Sequence, residues 1–258
     1  MILPIGDDNT GRTTAPVVNY AIIALNLLVF VFLQGMGTNE RFTYAFSTVP
    51  EEIVTGRDVV TRDRVVEEPL THERFKVPGL QPTPGSVYLT LLTSMFMHGG
   101  WAHILGNMLF LWIFGDNIED RLGHARYLIF YLVCGVIASL AQVFMTVAFS
   151  GDAAGLLVPS LGASGAISGV LGGYILLFPR NQVRVILFRF LTTVPAYVAL
   201  GLWFLFQFVS GIGLLGGDSQ AGGGVAYAAH VGGFIAGLLL VKVFAIGRAA
   251  PAPQWRRY

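Results

Sequence analysis

Residues 162–181 read Gly162-Ala163-Ser164-Gly165-Ala166-Ile167-Ser168-Gly169-Val170-Leu171-Gly172-Gly173-Tyr174-Ile175-Leu176-Leu177-Phe178-Pro179-Arg180-Asn181. No residue from 163 to 178 carries a charge, and Pro179-Arg180-Asn181 ends the run. A helix of about 16 residues is ~24 Å long at 1.5 Å per residue. That is shorter than the ~30 Å hydrocarbon core of a bilayer. With Arg180 held at one membrane face, the other end, which carries Ser164, lies below the opposite surface. Polar backbone at that depth is tolerated only where protein buries it or where it lines a water-filled cavity.

The rest of the chain points to the same setting. Of 258 residues, 54% are hydrophobic, 12% are charged and 32 are glycine, and the mean hydropathy is +0.65. Charge is about half the ~25% of a soluble domain, too little to cover so much apolar surface. An ordinary cytosolic enzyme, a disordered chain and a nucleic-acid binder are excluded, the last also by a net charge of +1. The single cysteine, Cys134, excludes a disulfide framework and a cysteine metal cage.

The fold class expected is an all-α polytopic membrane protein. Six transmembrane helices are predicted over about 17–33, 101–114, 125–149, 163–178, 185–209 and 225–246, with 89–97 as an apolar lead-in to the second. The bundle occupies one domain, 17–247, between tails at 1–16 and 248–258. The first tail lacks the basic start of a cleaved signal peptide. Residues 34–88 hold 6 of the 16 basic and 8 of the 15 acidic residues, so they read as a solvated loop with one short helix.

Basic residues near short loops set orientation. Arg180, Arg184 and Arg189 lie between helices 4 and 5, Arg121 and Arg126 between helices 2 and 3, Arg12 before helix 1, and Lys242, Arg248, Arg256 and Arg257 at the far end. The 3–4 and 5–6 loops have none. Both termini are therefore expected on the cytoplasmic side, and the loop 34–88 outside.

This topology brings polar residues to one level. Helices 2, 4 and 6 all run inward from the outer face. Helix 2 opens with His98-Gly99-Gly100-Trp101-Ala102-His103 and reaches Asn107 one turn on, helix 4 opens with Gly162-Ala163-Ser164-Gly165, and helix 6 carries His230. Gly165, Gly169 and Gly173 form one stripe and Gly233 and Gly237 another. Such stripes let helix backbones approach closely in lipid. Pressed together, they set Ser164 beside His230 as a nucleophile–base pair. Oxyanion donors are at hand in the Ser164 N–H at a helix N-terminus and in His103 and Asn107, which share one helix face. No third member accompanies the pair: Asp152 and Asp218 sit in outer loops and read as solvated carboxylates.

These residues together resemble the rhomboid intramembrane serine proteases. The resemblance rests on Gly162-Ala163-Ser164-Gly165, on His98 with His103-x-x-x-Asn107, and on Ala226-x-x-x-His230-x-x-Gly233-x-x-x-Gly237, and it covers roughly 17–246. Glu119-x-x-x-Gly123 resembles a further family position. The resemblance implies a six-helix rhomboid-like bundle with Ser164 and His230 as a catalytic dyad and with His103 and Asn107 serving the oxyanion. Gly162, Gly165, His98, Gly233 and Gly237 are supporting residues. It also implies substrates that are single-pass membrane proteins cut in or near the transmembrane segment, and no metal, nucleotide or other cofactor. Helix 5 and the 5–6 loop are the implied substrate gate and cap. A plasma membrane is the expected location.

The chain departs from the family pattern in three places. Leu89-Thr90 stands where members often have Trp-Arg, Ser168 stands where some place an aromatic against the catalytic histidine, and the loop 34–88 is longer than the common version. Plainer readings hold for other residues. His98 ties the outer loop to helix 2, Glu119 braces the inner loop, Cys134 packs, and His72 and His124 are solvated. His98 and His103 lack a third ligand for a metal. Two alternatives to a protease are a catalytically silent rhomboid-like protein that binds membrane helices and a small-solute transporter. The transporter predicts inverted repeats, which the sequence does not show.

Overall fold

The structure is a computed structural model, and it describes residues 2–67, 74–150, 153–187, 189–211 and 227–248. The elements are β1 (Ile2–Asp7), α1 (Val17–Leu28, continued by a π-turn over Val29–Leu33), α2 (Glu40–Ala45), α3 (Pro50–Thr55), β2 (Arg64–Glu67) and β3 (Arg74–Val77). They continue with α4 (Thr90–Thr93) between two 3₁₀ turns, α5 (Trp101–Leu122), α6 (His124–Phe149), α7 (Ala153–Leu156) and α8 (Ser164–Leu177). The last are β4 (Gln182–Leu187), β5 (Phe190–Pro195), α9 (Ala196–Gly211) and α10 (Tyr227–Phe244). Among the described residues, α6 and α10 are long and apolar enough to cross a membrane, and four shorter apolar helices accompany them.

The core forms around α8. Its sequence is apolar or small on every face, so no side of it belongs in water. Every residue from Gly165 to Tyr174 is buried. It packs against α5, α6, α9 and α10. The closest approach is to α10, where the glycines interlock. A Cβ on Gly233 would collide with the Gly165 carbonyl, and one on Gly237 with the Gly169 carbonyl. Gly172, outside the stripe read from sequence, lies equally close to the Phe234 carbonyl, while Gly173 faces the Val241 side chain. Cys134 fills the other side of Gly169 from α6. At 14 residues, α8 spans roughly 21 Å, close to the ~24 Å read from the sequence.

Three segments differ from their expected form. The second predicted helix, expected to stop near 114, continues to Leu122. Three of its polar residues are withdrawn from water: Asp116, Asn117 and Glu119 are buried against the N-terminal segment. Glu119 accepts bonds from the Val18 and Asn19 amides at 2.9 and 2.6 Å, capping α1, and also pairs with His124. Gly123, with φ +79°, then breaks the chain direction at a backbone conformation that side chains resist.

The fifth predicted helix, expected over 185–209, begins only at Ala196. Its first part is an antiparallel hairpin, β4 with β5, to which β1 adds a third strand in the order β1-β4-β5. The residues there alternate: Val183 and Val185 are buried and Gln182 and Arg184 exposed, as a half-covered strand requires. Pro4 sits in the edge strand, where its missing N–H is harmless. The sixth helix begins at Tyr227, and residues 225–226 lie outside the described residues.

Residues 34–88 are also more ordered than a solvated linker. They contain α2, α3 and the β2–β3 hairpin, and they are tied to the bundle. Thr48 bridges to Ser160, and its hydroxyl donates to the Thr90 carbonyl at 2.9 Å. Asp63 gathers Lys76, the Gly79 amide and Arg41, and its carboxyl is held down at about 2, first by the Lys76 hydrogen bond.

Candidate active site

Ser164 is the first residue of α8 and His230 lies one turn into α10. The interlocked glycines bring the two helix ends together, and Ser164 Oγ lies 2.8 Å from His230 Nε2. The serine hydroxyl donates to that nitrogen, so His230 carries its proton on Nδ1. A hydroxyl hydrogen-bonded to a neutral imidazole is the arrangement that activates a weak nucleophile.

The chain reaches Ser164 through Gly162, whose φ of +124° excludes a side chain. Space excludes one as well. A Cβ there would lie 2.8 Å from His103 Nε2 and 3.6 Å from Ser164 Oγ, so the His103 ring and the serine flank the same point. The Gly99 amide donates to His103 Nδ1 at 3.3 Å. That bond fixes the tautomer, leaving Nε2–H as a donor turned toward the Gly162 backbone. Asn107, one turn further along α5, is buried, and its Nδ2 has no hydrogen-bond partner among the described residues. The Ser164 amide is one of the α8 N–H groups that no helical carbonyl satisfies. Three donors thus belong to this end of the bundle.

His98 is fully buried, with its ring edge-on to His103 at 5.1 Å between centroids. Its hold on the outer loop runs through its main chain: the His98 N–H donates to Gln34 Oε1 and Gln34 Nε2 donates to the His98 carbonyl, each at 2.9 Å. Gly165 and Gly233 lie between α8 and α10, and Gly237 follows one turn deeper. Ser168 is buried, and its hydroxyl donates to the Ser164 carbonyl at 2.6 Å. Thr90 is buried beneath the outer loop, and Leu89 is exposed. Asp152, Asp218 and His72 lie outside the described residues. Among the described residues no three His, Cys, Asp or Glu side chains cluster as metal ligands would.

One contact has no counterpart in the sequence reading. His230 Nδ1 donates to Gln207 Oε1 of α9 at 2.8 Å, and the Trp203 ring lies 6.1 Å from the imidazole centroid. The signal was present in the sequence. Gln207 is the only amide in the apolar run 196–211, and a polar side chain in such a run marks a site.

The Rhomboid domain model matches residues 85–246, well over half the chain. The chain belongs to the rhomboid family. Rhomboid membership makes it a membrane-embedded, polytopic helical protein. It is similar to Rhomboid protein 1, mitochondrial, of Saccharomyces cerevisiae, at 34% identity over 58% of this chain and 40% of the relative. It is similar to Rhomboid protease GluP of Bacillus subtilis, at 26% identity over 91% of this chain and 36% of the relative. Presenilin-associated rhomboid-like protein A, mitochondrial, of Danio rerio matches at 36% identity over 45% of this chain and 29% of the relative. The chain thus spans well under half the length of these relatives.

Proposed function

We propose that this rhomboid-family chain is an intramembrane serine endopeptidase that cuts single-pass membrane proteins in or near their transmembrane segments. The single observation that carries the reading is the 2.8 Å contact between Ser164 and His230 at the recessed end of α8. Ser164 Oγ attacks the scissile carbonyl while its proton passes to His230 Nε2. The tetrahedral oxyanion is met by the Ser164 amide, the Asn107 Nδ2 and the His103 Nε2–H. His230 then returns the proton to the leaving amine, and water, deprotonated by the same imidazole, hydrolyses the acyl-enzyme. A substrate helix must unwind to reach this point, so segments with small or helix-breaking residues are the favoured targets.

The bundle proposed has six membrane-spanning segments, built on α1, α5, α6, α8, α9 and α10, with α9 as the gate for substrate entry. Both termini lie on the cytoplasmic side of a plasma membrane. Support comes from the arginines between α8 and α9 and from the pairing of β1 with β4, which sets the N-terminal segment at that same end.

The test is reconstitution in liposomes with a single-pass transmembrane substrate, alongside Ser164→Ala and a fluorophosphonate probe. Cleavage and labelling by the unmodified protein, both lost in Ser164→Ala, are expected. Cleavage that persists in Ser164→Ala removes the dyad. Absence of both in the unmodified protein identifies a binding protein instead.

A further inference from the structure

We propose that Gln207 is the positioning residue of the dyad, orienting His230 from α9 in the role that a carboxylate or asparagine fills in other serine and cysteine hydrolases. The inference rests on the reading of Ser164 and His230 as nucleophile and base. Once His230 Nε2 accepts the serine proton, Nδ1 must carry a hydrogen, and that hydrogen needs an acceptor inside a water-poor bundle. Gln207 Oε1 supplies it at 2.8 Å. Gln207 is itself buried, on a helix with no other amide or charge.

Two features of α9 make the contact specific. Trp203 and Gln207 are four residues apart and so share one face. The Trp203 ring lies 6.1 Å from the His230 ring and 6.3 Å from Phe234, while Phe204 stacks on Phe234 at 4.4 Å. Together these contacts hold α9 against α10 at the histidine. On α8 the position one turn after the nucleophile is Ser168, whose hydroxyl is turned to the Ser164 carbonyl. The hold on His230 Nδ1 therefore comes from α9, where an amide oxygen and an aromatic ring meet it, while α8 meets Nε2 through Ser164.

A neutral amide fixes the imidazole tautomer and direction without adding the charge that an aspartate would. The cysteine–histidine–asparagine arrangement of papain-like proteases is a chemical precedent. The hydrogen bond breaks if α9 moves away from α10, so the basicity of His230 and the position of α9 are linked.

The experiment compares unmodified protein, Gln207→Leu, Gln207→Asn and Gln207→Glu in liposomes. It measures kcat and KM against pH for a transmembrane substrate, fluorophosphonate labelling of Ser164, and the low-field Nδ1 proton resonance of His230. Gln207→Leu is expected to lower kcat and the labelling rate roughly ten- to a hundredfold, with KM within about twofold and the proton resonance lost. Gln207→Glu is expected to keep activity and move the acid limb of kcat/KM, because a carboxylate beside the imidazole favours its charged form. That limb should shift upward by about a pH unit or more. Gln207→Asn, one methylene shorter, falls between the two.

An unchanged kcat, labelling rate and acid limb in Gln207→Leu overturn the proposal. So does equal impairment of Leu and Glu variants with no movement of the limb, which marks a packing role. If the unmodified protein fails to label at Ser164, or Ser164→Ala still cleaves, the dyad itself falls and Gln207 with it. Normal labelling of the unmodified protein with an indifferent Gln207→Leu overturns this inference alone.

Discussion

Asn107 holds an amide nitrogen that is buried and bonded to nothing among the described residues. Leaving such a donor unpaired costs about 1–3 kcal/mol, and the proposed oxyanion is a partner that exists only during reaction. Function and stability should therefore part company on mutation. Asn107→Ala is expected to lower kcat about 10²–10³-fold, while the thermal midpoint stays level or rises. A fall in the midpoint with kcat intact would mark a structural amide. Much of this cluster was legible because polar residues in an apolar chain are few, and the topology expected from sequence puts Ser164, His103, Asn107 and His230 at one depth. Gln207 was legible only in part. A search for a charged third member passes over a neutral amide, and which way its side chain turns depends on how α9 packs against α10.

The contact between α8 and α10 is the element on which the proposed site depends. Gly237→Ala sets a methyl against the Gly169 carbonyl, which no side-chain rotation can relieve. It is expected to destabilise by at least about 1–3 kcal/mol and to abolish cleavage by parting Ser164 from His230. Gly106→Ala on α5 is the matched control: it meets nothing within 4 Å, and it should gain about 0.5–1 kcal/mol. Thermal unfolding in detergent with parallel assays separates the two. Equal effects at both positions would mean that helix propensity, not close approach, governs. The glycine stripes were readable from spacing alone. The hairpin over β4 and β5 was not, since a hydropathy window scores Val183-Arg184-Val185-Ile186-Leu187 much as it scores a helix. Only the two-residue alternation and Pro195 distinguish it, and both are short-range signals inside a long apolar stretch.

At the scale of the whole molecule, the N-terminal segment straps together the end of the bundle that lies opposite Ser164 along α8. Arg12 pairs with Asp116, and the Thr13 and Thr14 amides donate to Asp120 at 3.0 and 2.7 Å. Asn117 Nδ2 and the Tyr174 hydroxyl both donate to Asp7. Burial, above all, raises the Asp7 carboxyl from 3.8 to about 7. Between those values the folded chain keeps a proton that the unfolded chain has lost, so stability falls as pH rises. The contribution is complete below 3.8 and is lost through pH 7, amounting to at most about 4 kcal/mol. Thermal midpoints at pH 5 and pH 8 should therefore differ more for the unmodified protein than for Asp7→Asn, which cannot ionise. Identical pH responses would show that Asp7 does not titrate in this range. None of this strap was legible, because residues 1–16 look like any polar tail until their partners on α5, α8 and β4 are known.

The strap also has a history within each molecule. Ile2 pairs with Leu187, 185 positions later in the chain. At about 5–20 residues per second, a ribosome needs roughly 10–40 s to make that partner. Throughout that interval residues 2–7, Ile-Leu-Pro-Ile-Gly-Asp, wait with an unpaired edge while the intervening helices enter the bilayer. They are made early and paired late, so closing this end of the bundle belongs to the end of biogenesis.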